Sequence, residues 1–124
     1  MQIVCVDYSP WELRKLRSTV KSIMPSATIS GFRNPLKAEK YVRQNGCDIL
    51  LCDIDFNGPK WEGLDLAEKI KDINPKVNII FVTDLPEREY AESIVQLRIS
   101  GYVRKPYGRQ ELVEEFSNLR YGNE

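Results

Sequence analysis

Five times along this chain, a short apolar run gives way to a stretch whose apolar residues recur at the spacing of one helix face. That alternation constrains the fold more than any other feature. Strands joined by helical crossovers lie parallel, and the helices cover both faces of the sheet they make. The first run is Ile3-Val4-Cys5-Val6. After it come Ser9, Pro10 and Glu12: a hydroxyl N-cap, a proline at the first helical position, and an acid placed to complete a capping box. Leu13, Leu16, Val20 and Ile23 supply that helix's inner face, and Pro25 stops it.

The second run, 27–32, leads into Asn34-Pro35, the same cap-then-proline device. Ala38, Tyr41 and Val42 follow on one face, and Asn45-Gly46 closes the helix. Ile49–Cys52 is wholly apolar, as a strand covered on both faces must be. Leu66, Ala67, Ile70 and Ile73 mark a third helix and 77–82 a fourth strand. Tyr90, Ala91, Ile94 and Val95 give the fourth helix its inner face, 101–103 is the fifth strand, and Leu112, Val113, Phe116 and Leu119 line the closing helix. The predicted fold class is α/β: a doubly wound, five-stranded parallel sheet, (βα)5. A chain of 124 residues suits one such domain, placed over 1–121, with 122–124 as a terminal tail or the start of a linker.

Composition removes several function classes. Lysine plus arginine balances aspartate plus glutamate, 18 against 18, which argues against nucleic-acid binding by this domain alone. Histidine is absent, so Ser-His-Asp and Cys-His catalysis, most zinc sites and a phosphohistidine donor role are excluded. The three cysteines, Cys5, Cys47 and Cys52, lack metal-ligand spacing and read as small buried hydrophobes in a reducing compartment. No apolar run reaches the length of a membrane span and the start of the chain lacks a signal-peptide pattern, so the expected location is the cytoplasm, away from membrane.

In open parallel sheets, ligands bind beyond the carboxyl ends of the strands. The residues there are Asp7 after the first strand, Asp53 after the third, Thr83 after the fourth and Lys105 after the fifth. Each alone is an ordinary loop residue. Together they are the parts of a phosphoryl-transfer site: carboxylates for Mg²⁺, a lysine to neutralise phosphoryl oxygens, and a hydroxyl to hydrogen-bond one of them.

With "IVCVD", "DILLCD", "IIFVT" and "GYVRKP" at those strand ends, essentially the whole chain resembles the receiver domain of a two-component response regulator. The resemblance implies flavodoxin-like strand order 2-1-3-4-5 and a phosphorelay role in signal transduction. Asp53 would take a phosphoryl group from a sensor histidine kinase. Asp7, Asp53 and the backbone carbonyl of Asp55 would hold Mg²⁺. Thr83 would bind the phosphoryl oxygen and reposition Tyr102, Lys105 would pair with the phosphate, and the peptide bond to Pro106 would be cis. The result would be a population shift on the face of the fourth helix, fifth strand and fifth helix, controlling an output or partner. A dimer or output contact is expected on that face, near Arg88, Tyr102 and Arg109. The chain would not be an enzyme beyond phosphorylating and dephosphorylating itself.

Three departures from the family pattern bear on activity. Tyr8 stands where a second metal-binding acid is usual, and a phenol is a poor ligand for a hard cation; Glu12 either reaches in or serves its capping box. Asp84 follows the switch threonine where a small residue is usual; it either repels a phosphodonor or caps the next helix. The acceptor loop, 53–63, is slightly longer than usual, and its Trp61 either covers the loop base or marks a partner contact. The expectation is that Asp53 accepts phosphate, because acceptor, lysine and threonine are all in place. The alternative is a receiver-like interaction module that does not cycle phosphate.

"LLCDIDFNG" also resembles the first motif of haloacid-dehalogenase-type phosphatases. That pattern starts the sheet with its aspartate pair and needs further acids after the lysine, whereas here two strand–helix units come first and Glu111, Glu114 and Glu115 fall on a helix. A flavodoxin-like flavin site needs a Ser/Thr/Gly-rich loop after the first strand, and "DYSPWELR" is not one. An output domain beyond the closing helix, such as a DNA-binding one, and a free-standing receiver are both compatible with these residues.

Overall fold

The computed structural model describes residues 1–58 and 60–119. The expected boundary at 121 and the tail 122–124 lie outside the described residues. The elements are β1 (Gln2–Val6), α1 (Pro10–Ile23), β2 (Thr28–Phe32), α2 (Pro35–Asn45), β3 (Ile49–Cys52), α3 (Glu62–Ile73), β4 (Asn78–Thr83), a 3₁₀ turn (Glu87–Tyr90), α4 (Ala91–Leu97), β5 (Gly101–Arg104) and α5 (Arg109–Ser117). The five strands are parallel in the order β2-β1-β3-β4-β5, so the doubly wound architecture is as expected.

Alternation along the strands divides the core in two. Val4, Val6, Leu50, Cys52, Ile79 and Phe81 face α2, α3 and α4, while Ile3, Cys5, Ile49, Leu51, Ile80 and Val82 face α1 and α5. The strands are continuous apolar runs because each face has its own helical layer. All three cysteines are free and buried. Burial pushes the Cys5 and Cys47 thiols up to about 12, so they act as small apolar groups, inert as nucleophiles.

Local signals fix the start of α1 and both ends of α2. Ser9 Oγ accepts the Glu12 N–H at 3.2 Å, Asn34 Oδ1 accepts the Leu36 and Lys37 N–H groups at 2.8 and 3.2 Å, and Gly46 follows α2 at φ 81°.

Helix α4 departs from expectation. Tyr90 is buried but belongs to the 3₁₀ turn, and Ile94 packs on the core as expected; Ala91 is exposed, Val95 is 74% exposed, and Leu97 takes the next inner position. Tyr90, Ile94 and Leu97 form a narrow i, i+4, i+7 stripe, and Ala91 and Val95, each one residue further on, fall about 100° round the helix from it. Asp84 caps neither segment: Pro86 and Tyr90 hold those positions, without side-chain caps.

One buried group is unsatisfied. Tyr107 is 5% exposed, and its hydroxyl has no hydrogen-bond partner among the described residues. Lys15 lies over the ring, its Nζ 4.1 Å from the centroid and 2.9 Å from the Tyr107 carbonyl oxygen. Tyr107→Phe should stabilise the fold by about 1 kcal/mol, read from the urea midpoint at neutral pH. Burial first, then nearby Glu12, raises the Tyr107 hydroxyl above its usual 10.0. Above that pH the unfolded chain loses this proton before the folded one, and stability falls. The phenylalanine variant should therefore lose less stability on the alkaline side.

Candidate functional site

The strand ends converge. Asp7 continues the β1–β2 ladder, its N–H donating to the Phe32 carbonyl at 3.0 Å. Asp53 does the same against β1, donating to the Val6 carbonyl at 3.0 Å. Lys105 leaves β5 with its N–H on the Thr83 carbonyl at 2.8 Å. Three backbone bonds of the sheet type thus aim three charged side chains over the same edge.

Lys105 Nζ donates to Asp53 Oδ2 at 2.7 Å and to Asp7 Oδ2 at 2.8 Å. Both acids are buried, Asp53 to 7% and Asp7 to 2% exposure. Burial raises the Asp7 carboxyl above its usual range, while the Lys105 hydrogen bond and charge pull it back. Burial opposes the Lys105 charge as well, but its hydrogen bonds to Asp53 and Asp7 and their charges outweigh it and lift the ammonium above its usual 10.5. The lysine is therefore charged at any physiological pH. Its peptide bond to Pro106 is cis.

The two oxygens of Asp53 differ. Oδ1 accepts the Ile54 N–H at 2.7 Å and the Asp55 N–H at 3.3 Å, which fixes the carboxylate to the start of its own loop. Oδ2 faces Lys105. Asp55 turns its Oδ1 to the Asn57 N–H at 2.9 Å, and Asn57 takes φ 64°, a left-handed turn that asparagine tolerates. At the far end of the loop, the Gly63 N–H returns to the Ile54 carbonyl at 3.0 Å.

Thr83 is fully buried, and its Oγ1 accepts the Leu85 N–H at 3.3 Å. Tyr102 donates from its hydroxyl to the Leu85 carbonyl at 2.8 Å and packs edge-on against Phe81. Burial raises that hydroxyl to about 12, so the donor is intact at neutral pH. Residue 85 is thus held on its N–H by the threonine and on its carbonyl by the tyrosine.

Other sequence-predicted residues lie at the margin. Tyr8 is 46% exposed, with the Arg33 guanidinium 5.4 Å from its ring centroid and Arg33 Nε donating to its carbonyl at 2.8 Å. Asp84 is exposed. Trp61 is half exposed and meets Tyr90 edge-on at 5.6 Å, so the loop's indole is joined to the turn before α4. Arg88 lines an open groove with Glu87 and Arg104. Arg109 turns away from that groove, donating to Ser22 Oγ on α1 at 3.0 Å.

Of the two roles the sequence offers Glu12, reaching into the site or completing a capping box, only half of the second exists. Its N–H bonds to Ser9 Oγ, but the Ser9 N–H is taken by Asp7 Oδ1 at 3.0 Å. The Glu12 carboxylate lies 3.8 Å from Lys105 Nζ. The signal was present: an aspartate two residues ahead of a serine can claim that serine's N–H and leave the later acid free. Among the described residues, no three acidic or thiol side chains close directly on one another as a ready-made metal cluster. Here the carboxylates close on an ammonium.

The haloacid-dehalogenase reading finds no support in this arrangement. Asp53 follows the central strand of the sheet, and after Lys105 the described residues contain no further strand, with Glu111, Glu114 and Glu115 all on α5.

Comparison with known proteins agrees with the fold. The chain is 28% identical over 94% of its length to the transcriptional regulatory protein NatR of Bacillus subtilis (strain 168), of which it spans 48%. It is 22% identical to the chemotaxis protein CheY of Halobacterium salinarum over 95% of both chains. The crystal structure of the response regulatory domain of protein MrkE from Klebsiella pneumoniae superposes with a TM-score of 0.81, at 24% identity, over 96% of this chain and 94% of that one. The family model described as the response regulator receiver domain matches residues 3–117. A match running from the first strand to the end of the last helix settles the relationship: the chain belongs to the response regulator receiver domain family, the signalling domain of two-component phosphorelays.

Proposed function

We propose that this domain is a phosphoryl-accepting switch with Asp53 as acceptor. The observation that carries the reading is the single ammonium of Lys105 bound to Asp53 and Asp7 together. In the transfer, Asp53 Oδ2 forms a bond to phosphorus as the phosphorus–nitrogen bond of a phosphohistidine donor breaks, and the departing imidazole keeps the electron pair. The product is an acyl phosphate on Asp53. Oδ1, tied to two backbone N–H groups, holds the carboxylate still while Oδ2 reacts. Lys105 then neutralises the phosphoryl oxygens it faces.

The donor chemistry of the site suits Mg²⁺, a hard cation that takes oxygen ligands and keeps several waters. Asp7, Asp53 and the Asp55 carbonyl would hold it, and it would supply positive charge to the transferring group. Thr83 and Tyr102 share residue 85, so a phosphoryl oxygen that draws Thr83 Oγ1 away from the Leu85 N–H loosens one of the two bonds fixing the turn before α4. This is the route by which phosphorylation would reach the α4–β5–α5 face. A sensor histidine kinase as donor, an output domain joined beyond α5, homodimerisation through that face and a cytoplasmic location complete the proposal. Among the described residues, no helix is long and apolar enough to cross a membrane.

The test is intact mass after incubation with Mg²⁺ and acetyl phosphate. A gain of one phosphoryl group is expected, and Asp53→Asn should abolish it. If neither acetyl phosphate nor a panel of histidine kinases labels Asp53, the domain is an interaction module that has kept the fold without the chemistry.

A further inference from the structure

Glu12 carries a charge at this site that the transfer leaves unused. As the third residue of α1, it would ordinarily return its carboxylate to the Ser9 N–H. Asp7 holds that N–H, and Glu12 Oε2 instead stands 3.8 Å from Lys105 Nζ. Three carboxylates therefore surround one ammonium, Asp53 and Asp7 at hydrogen-bond distance and Glu12 a little further out. Their charges exceed what the lysine neutralises. Beside Asp7, Tyr8 is half exposed with the Arg33 guanidinium over its ring, so position 8 brings no carboxylate to the site.

We propose that Glu12 is the third acid of the divalent-cation site, serving from the first turn of α1 in place of an acid at position 8. The proposal rests on the reading of Asp53 as an acceptor that works with Mg²⁺. A cation that keeps most of its waters needs only one or two carboxylates in direct contact, and a further acid contributes through water and by charge. Glu12 is suited to that part: its side chain is 28% exposed, and its backbone is fixed by the Ser9 cap.

Calorimetric titration of the full chain with Mg²⁺ tests this, with Mn²⁺ binding followed by electron paramagnetic resonance as a second readout. The proteins compared are the wild type, Glu12→Gln, and Glu12→Gln combined with Tyr8→Asp. Glutamine keeps the shape and helix position of Glu12, so folding is preserved. Affinity should fall about tenfold or more in Glu12→Gln and recover in the double variant. Unchanged affinity in Glu12→Gln, no measurable binding by the wild type, or a loss that Tyr8→Asp fails to restore would each overturn the proposal. Acetyl phosphate labelling in parallel separates the two readings. Labelling of Asp53 without a Glu12 effect removes only the Glu12 role, whereas absence of both labelling and cation binding removes both.

Discussion

Replacing Lys105 with methionine is expected to slow phosphoryl incorporation at Asp53 about 100-fold and to lower stability at pH 7 by about 3 kcal/mol. The kinetic effect follows from position. The ammonium already sits 2.7 Å from the Asp53 oxygen that would bond phosphorus, so its charge is preorganised and needs no rearrangement as negative charge gathers. The stability effect follows from what remains. Asp7 and Asp53 are both almost fully buried, and without the lysine two carboxylates face each other with no cation between them.

The pH dependence of that loss has a definite sign. Burial already raises Asp7 above 3.8, and the hydrogen bond and charge of Lys105 chiefly pull it back. In the variant that pull is gone, so the folded protein holds the Asp7 proton still more tightly relative to the unfolded chain. A carboxyl raised in this way favours the folded state at low pH, and that advantage is lost as pH climbs from 3.8 through the folded-state value. The gap between variant and wild type should therefore be wide at neutral pH and narrow toward pH 4. Urea midpoints across that range measure it. An equal gap throughout would mean that ionised carboxylates are not what the lysine holds together.

Much of this was legible in the residues. The alternation of apolar runs and helical stripes is a direct record of a sheet covered on both sides, and proline and asparagine mark where α1 and α2 begin. Asp7, Asp53, Thr83 and Lys105 could be placed at one edge because parallel topology puts all strand ends there. What escaped the reading depends on contacts between distant segments or on local geometry with more than one solution. Glu12 had two roles open because box spacing is local while its neighbour Lys105 lies on the loop after β5; the competition from Asp7 for the Ser9 N–H decides between them. The inner face of α4 is narrower than its apolar residues suggest: Ala91 and Val95 are exposed beside Tyr90 and Ile94, and nothing in "LPEREYAESIV" says which of two adjacent apolar residues turns inward. The Trp61–Tyr90 contact joins two loops whose spacing only the folded sheet sets.

Gly63 shows the same limit at its sharpest. In the sequence it is one glycine in a helix start, of a kind that alanine usually improves. In the fold it lies against the acceptor's own backbone: a β-carbon there would overlap the Asp53 carbonyl oxygen and come within 2.6 Å of the Ile54 Cα. Neither neighbour is free to yield. The Asp53 N–H is in the ladder with Val6, Asp53 Oδ1 holds the Ile54 N–H, and the Ile54 carbonyl accepts from Gly63 itself. Gly63→Ala should therefore cost about 3 kcal/mol by overpacking, and it should also slow labelling of Asp53, since the backbone that must shift is the one that aims the carboxylate. Gly108→Ala is the matched control. At φ −107° and with no atom within 4 Å of the added carbon, it should change stability by no more than about 0.5 kcal/mol and leave labelling untouched. If Gly63→Ala behaves like Gly108→Ala in both assays, then α3 is free to slide on the acceptor loop. The close packing that fixes Asp53 would not then be what positions it for transfer.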